Sequence, residues 1–402
     1  MNFTDFSSPA FFADPYPLYQ QVRDAGPLLP VGANARVTGR FEIIDALLRD
    51  RRMGKTYLQS VSARYGDEAT GQPVFQALRR TFLMMNPPTH TRLRALLMKA
   101  FNARQIGKLR DIVVATAHEL VERIGTKAEF DLVSEYALPL PIEIICRLLD
   151  IPSAHGTELG VAASRLVSAL DLAPLDEHAL GEANDAALTL ERYFQKVVKQ
   201  RRGMPGDDLI SALVCVEDEG ATLSDEEIVS NAILLFIAGH ETTSNMIGNA
   251  MVALFRQPAR LDQLKRDPAL IPQAVAECMR YDSSVQMVVR TALEDVVIGD
   301  AALPAGTIVF MLIGAANRDP AVFPNPDQLD FNRGSGTPTL SFGGGIHYCL
   351  GARLALLEME AAITSLVTRF PDMRPINLDQ LAWHSRNNLR GVQSLKMISG
   401  AG

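Results

Sequence analysis

Apolar residues recur along most of this chain at the three- and four-residue spacing of helices, and short apolar runs with strand character are few. The pattern predicts helices over 14–25, 41–50, 90–101, 107–124, 138–149, 184–201, 258–265, 270–281 and 351–369. Short strands are expected near 28–31, 35–39, 295–299, 307–312 and 393–398, towards the two ends of the chain. The strongest element opens at Ser224, which has Glu227 three residues on in capping-box spacing, and continues to about Phe255. Some 30 residues at 1.5 Å each give a rod of about 45 Å, long enough to cross a large domain. Ile233, Leu234, Leu235, Phe236 and Ile237 make it apolar on most sides, as expected of a buried central helix. Helices far outnumber strands, so the expected architecture is mostly α with a small β-rich lobe.

Composition narrows the function classes. The chain has 402 residues, 47% hydrophobic and 21% charged, ample for a large packed core. Its net charge of −7 is a poor footprint for a nucleic-acid binder. Four scattered cysteines do not make a disulfide framework and suit a reducing cytosol. The N-terminal stretch has neither a basic n-region nor an apolar h-region. The central apolar stretch carries His240, Glu241 and a cluster of hydroxyls that a bilayer span tolerates badly. A cytoplasmic protein with no membrane segment is therefore expected. Loop signals sit at 203–208 and 332–338, and no repeat is visible.

The most informative segment is 341–353, SFGGGIHYCLGAR. Gly343 to Gly345 precede Cys349, Gly351 follows, and an apolar helix comes next. Glycines let a backbone turn back with positive φ and approach a bulky planar object. A thiol just before a helix N-terminus is favoured as thiolate. Zinc would want more Cys or His than His347 at short spacing, and a phosphate loop would want GK[ST] after the glycines. Cys146, Cys215 and Cys278 lie in apolar helical patterns and read as small buried hydrophobes.

Phe342 to Gly351, F-G-G-G-I-H-Y-C-L-G, resembles the haem-binding loop of the cytochrome P-450 family. The resemblance implies haem b (iron protoporphyrin IX) with Cys349 as the axial thiolate of its iron. It implies that Phe342, Gly343 and Gly351 shape the loop against the haem, and that His347 contacts a propionate. Ala238 to Thr243, A-G-H-E-T-T, resembles the family's oxygen-activation motif. On that likeness Ala238 lies against the haem, Thr242 hydrogen-bonds the oxygen being activated, and Glu241 relays protons from solvent. His240, at the variable position, is expected to be structural or pocket-lining. The zincin alternative fails because position 244 is Ser244.

Three further matches follow. Glu277 and Arg280 resemble the family's E-x-x-R ion pair on the thiolate side, with Asn332 and Arg333 as candidates to join it. N-P-P-T-H-T-R-L-R, from Asn86, resembles the segment in which His90 and Arg94 bind haem propionates, Asn86 standing where Asp is usual. Arg290 matches the third propionate ligand, and Ser284 stands where Pro is frequent.

The resemblance covers nearly the whole chain. It implies one P-450 domain over 1–402, with β-rich portions near 28–40, 295–312 and 385–398, a helical core about 86–281 and 351–369, and haem between the long central helix and the cysteine-loop helix. The implied function is a monooxygenase inserting one atom of O2 into a hydrophobic small molecule, such as a polyketide or terpenoid intermediate. A separate ferredoxin and ferredoxin reductase are implied, with Arg92, Lys99, Arg104 and Arg353 as candidate docking residues. A monomer is expected. Peroxygenation or oxidative coupling on the same scaffold stays open, and so does a non-catalytic haem sensor. The Glu241/Thr242 pair argues against both a dedicated peroxygenase and a sensor. Substrate walls are expected in 54–85, in 163–180, near Leu235 and Ala238, over Val285 to Val289 and near Asn387 to Leu389.

Overall fold

The computed structural model describes residues 3–101, 103–299, 301–333 and 338–400, without the side chains of residues 3, 4 and 103–108. Most of the loop signal at 332–338 lies outside the described residues. The chain gathers into two compact units. The first comprises the residues up to Met53, Val113–Pro141, and everything from Thr242 on; the second comprises Gly54–Ile112 and Ile142–Glu241.

The first unit holds most of the β structure. A five-stranded sheet has the order Leu29–Gly32, Ala35–Thr38, Ile308–Leu312, Met287–Ala292, Met53–Gly54. The pairing of Ala35–Thr38 with Ile308–Leu312 is parallel, whereas Ile308–Leu312 and Met287–Ala292 are antiparallel, with Val309 opposite Arg290. Helix Phe41–Arg49 packs Ile44 and Leu47 into a core with Val309, Met311 and Phe323. Strands Arg374–Pro375, Lys396–Ile398 and Glu129–Asp131 form a second, smaller sheet. The strands are therefore not confined to the chain ends: Glu129–Asp131 pairs with the C-terminal strand, and a hairpin of Glu217–Asp218 and Ala221–Thr222 interrupts the helical middle. Both are too short to show a period of their own.

The second unit is helical. Thr89–Ala100, Ser153–Ser168 and Glu177–Gly203 are its longer helices, with Tyr57–Tyr65 and Pro73–Arg79 beside them. Ser153–Ser168 carries two glycines that lower its helix propensity, yet Gly156 and Gly160 let it approach the preceding helix closely. A Cβ at either glycine would lie 3.0–3.1 Å from the side chain of Ile142. Tertiary contact stabilises the helix where propensity does not.

The long helix runs from Asp225 to Arg256. The Ser224 N–H donates to Glu227 Oε2 at 3.0 Å and the Glu227 N–H to Ser224 Oγ at 3.2 Å, so the expected capping box is formed. Cys146 and Cys278 are buried as expected, but Cys215 is exposed, because its helix ends there at the polar hairpin.

The expected E-x-x-R pair is buried and extended. Arg280 donates to both carboxylate oxygens of Glu277 (2.7 and 2.8 Å), and Arg333 Nε donates to Glu277 Oε1 at 2.9 Å. Arg280 Nη1 also donates to the carbonyls of Asn317 and Pro326. Asn332 stands apart, its backbone N–H bonded to Asp330. One carboxylate thus bridges two guanidinium groups, and backbone carbonyls accept from their remaining N–H groups. Glu277→Gln would strand two buried cations, and such a loss costs about 3–5 kcal/mol. The variant is expected to unfold at a correspondingly lower urea concentration; an unchanged midpoint would show that the cluster does not support the fold.

Candidate active site

The cysteine loop belongs to the first unit and is shaped by glycine. Gly343 and Gly345 have φ of +70° and +62°, the left-handed region that L side chains avoid. A Cβ on Gly345 would lie 2.0 Å from the Leu48 carbonyl oxygen, and one on Gly344 would lie 3.2 Å from the Leu48 side chain. The loop therefore lies on helix Phe41–Arg49 by backbone approach. It closes on itself where the Cys349 N–H donates to the Phe342 carbonyl at 2.9 Å. Cys349 is half-buried, three residues before helix Ala352–Arg369, and no atom crowds the Cβ position of Gly351. His347 closes a single 3-10 turn, Gly345–His347.

Arg290 sits mid-strand, 5% exposed. Its Nη1 reaches only the neighbouring Val289 carbonyl at 3.0 Å, and no carboxylate among the described residues pairs with it. Burial lowers its pKa to about 10. A cation kept this dry is costly unless an anion joins it.

In the second unit, His90 and Arg94 lie one turn apart on helix Thr89–Ala100. Both flank Phe82: the His90 ring lies 6.0 Å from it, and the Arg94 guanidinium lies 6.0 Å above it. The amide of Asn86, at the start of this segment, accepts from the Lys55 N–H and donates to the Lys55 carbonyl, each at 2.8 Å. A carboxylate could make only the first of these bonds.

The middle of the long helix is buried on most sides, and Leu235, Ala238, Gly239 and Thr242 are its accessible positions there. Their 3, 4, 7 spacing puts them on one face. Glu241 is buried with Ser164 Oγ donating to its Oε1 at 3.4 Å, a partner on helix Ser153–Ser168 that no sequence motif signals. His240 is buried and its Nδ1 lies 2.8 Å from the Phe236 carbonyl, which makes Nδ1 the protonated nitrogen. Burial pushes its pKa down, so the ring is neutral and structural. Glu358, on the cysteine-loop helix, is a second carboxyl the motifs do not flag. Burial pushes its pKa well up, which favours the protonated form.

Of the candidate docking residues, Arg92 pairs with Glu227 and Lys99 with Asp218, which weakens both as docking charges. Arg353 is exposed, and the side chain of Arg104 lies outside the described residues. Among the described residues no group of His, Cys, Asp and Glu could hold a metal by itself, and no helix is long and apolar enough to cross a membrane.

These features fit an apolar group that carries an anionic substituent and binds a soft thiol. A glycine loop presents one soft thiol, a dry arginine lacks its anion, and a small-residue face opens on an otherwise buried helix. The comparisons agree. The model of the family Cytochrome P450 matches residues 160–377. Cytochrome P450 133B2 of Xylella fastidiosa is 50% identical over 395 residues, 98% of each chain. The biotin biosynthesis cytochrome P450 of Bacillus subtilis is 36% identical over 398 residues, 98% of this chain and 97% of its own. The crystal structure of P450BioI in complex with hexadec-9Z-enoic acid ligated acyl carrier protein superposes with a TM-score of 0.90 at 32% identity, covering 98% of this chain and all of that one. By thiol loop, helix and relatives alike, the chain belongs to the cytochrome P450 family, with that family's fold, haem b and monooxygenase chemistry.

Proposed function

We propose that the protein hydroxylates or epoxidises a lipophilic natural-product intermediate, with Cys349 as the residue that would hold the haem iron and electrons from a separate ferredoxin and its reductase. The observation that carries the reading is the cysteine loop, whose left-handed glycines hold a half-buried thiol ahead of a helix. When bound, the haem supplies oxygen activation, and a thiolate ligand favours O–O cleavage.

The chain's own residues do the rest. His90, Arg94, Arg290 and His347 are the basic groups assigned to the two propionates, where charge-assisted hydrogen bonds are strong. Thr242, on the accessible face, offers a hydroxyl donor that holds a proton where the oxygen is activated. Glu241 is its neighbour in sequence, and Ser164 orients its carboxylate for proton transfer. Phe342, Gly343, Gly351 and Ala238 leave room for the ring. Apolar residues at the positions the resemblance assigns to substrate support a lipophilic substrate: Leu235 on the long helix, Met287 and Val288 on the strand that carries Arg290, and half-buried Leu170 and Leu172. So do the relatives, among them a 6-deoxyerythronolide B hydroxylase of Saccharopolyspora erythraea, 34% identical.

Cys349→Ala is expected to abolish the red-shifted Soret band of the ferrous–CO complex; retention of that band would refute thiolate ligation by this residue. Thr242→Ala is expected to keep haem while releasing several-fold more peroxide per NADH consumed with a ferredoxin system. Equal coupling in variant and wild type would remove Thr242 from proton delivery. Arg290→Met removes a charge-assisted bond worth about 1.5–3 kcal/mol, so haem affinity measured by transfer to apomyoglobin is expected to fall about 10- to 100-fold. A product screen by mass spectrometry against fatty acids, macrolactones and terpenes tests the substrate class.

A further inference from the structure

The N-terminal segment makes an unusual set of contacts far along the chain. Arg390 is buried, stacked 3.5 Å over the ring of Trp383, the chain's one tryptophan. Its Nη1 and Nη2 donate to the carbonyls of Phe12 (2.7 Å) and Ala13 (3.1 Å), and its Nε donates to Asp282 Oδ1 at 3.0 Å. The Tyr16 hydroxyl donates to the same Asp282 oxygen at 2.7 Å. The Asn387 amide donates to the Phe6 carbonyl. A cavity of about 10 Å³, room for one water, lies among Phe12, Tyr19, Gln286 and Arg390.

Asp282 and Arg390 flank two paired segments. The Arg390 N–H donates to the Ser284 carbonyl (2.7 Å), the Gln286 N–H donates to the Asn388 carbonyl (2.9 Å), and Val285 bridges Leu389. The Asn249 amide, seven residues beyond Thr242 on the long helix, donates to the carbonyls of Asp282 (3.3 Å) and Arg390 (3.0 Å). Thr242 and Asn249 share a helix face at that spacing. Both ends of the ladder, at Asp282 and at Arg390, are thus tied to the helix that carries Thr242 through Asn249 and to the N-terminal segment through Tyr16, Phe12 and Ala13.

We propose that Phe3–Tyr19 is a positioning element for substrate, acting through Tyr16, Asp282 and Arg390 to fix the paired segments 284–286 and 388–390. This rests on the reading that those segments wall the substrate space. Arg390 is a positioning residue: its side chain gathers N-terminal carbonyls while its backbone is a rung of the ladder. Losing the clamp lets Leu389 and Val285 shift, which alters the shape of the wall and leaves the cysteine loop and its iron untouched.

The test uses haem-loaded wild type, Tyr16→Phe and Arg390→Lys. The first variant deletes one hydroxyl and keeps the ring; the second keeps a charge and loses the forked contact. The ferrous–CO spectrum and imidazole binding report on the iron. 1-Dodecylimidazole anchors on the iron by the same nitrogen and lays its chain along the walls. Expected are an unchanged CO band, imidazole Kd within twofold of wild type, 1-dodecylimidazole Kd shifted at least fivefold, and altered Trp383 emission. Dodecylimidazole and imidazole Kd values that both stay within twofold overturn the proposal, and so does an equal shift in both. Absence of the CO band in wild type would instead strike the haem-thiolate reading, and wild-type dodecylimidazole binding no tighter than imidazole would strike the reading of an apolar pocket.

Discussion

The Gly345 backbone passes so close to the Leu48 carbonyl that any side chain at this position would collide with it. That approach constrains the rest of the site. It seats the cysteine loop on helix Phe41–Arg49, and the bond from the Cys349 N–H to the Phe342 carbonyl then fixes where the thiol emerges. A ligand held by one sulfur needs that sulfur placed to within a fraction of an ångström, and three consecutive glycines alone would give a floppy loop. Their freedom is useful because a packed helix removes it again. Leu48 itself faces the same apolar core as Val309, next in register to the strand that carries Arg290. Thiol and guanidinium are thereby referred to one rigid body.

Buried charge has two different solutions here. Glu277 is closed upon itself by Arg280 and Arg333, with backbone donors and acceptors taking up the remaining capacity. Such a cluster stabilises one arrangement of the chain and has nothing left to offer a ligand. Arg290 is equally dry and has no acidic partner among the described residues, so it keeps the capacity to bind an anion. The contrast separates an arginine whose charge is already met from one that could still meet a ligand more sharply than sequence position does.

Chemistry written in contiguous residues was legible in the sequence. The glycine–cysteine loop, the A-G-H-E-T-T segment, the capping box at Ser224 and Glu227, and the i, i+4 pair His90 and Arg94 each lie within ten residues, and local geometry follows from local spacing. The strands at 35–38 and 308–312 were legible too, since their apolar runs are bounded by turn residues. Helix Ser153–Ser168 was not, because Gly156 and Gly160 lower its propensity and are useful only against Ile142. Strand Met287–Ala292 was hidden because a buried arginine breaks its apolar run, and that same arginine is the proposed propionate ligand. Ser164 could not be found from sequence at all: its partner Glu241 is 77 residues away.

The same distinction bears on what kind of information specifies a substrate. Oxygen activation is common to many reactions and can be held in short motifs that survive changes elsewhere. The segments proposed to wall the substrate space are held by pairs such as Val285 with Leu389 and by ties as distant as Phe12 with Arg390, 378 residues apart. No window of sequence contains both members of such a pair. Each member alone looks ordinary, an arginine near a C-terminus or a carbonyl in the last turn of a short helix. Their value comes from joint burial, where an unpaired guanidinium would be expensive and three acceptors around it are therefore a strong constraint. Substitutions in the N-terminal segment can thus move the wall that meets substrate without touching any residue of the oxygen chemistry, so the two can change independently.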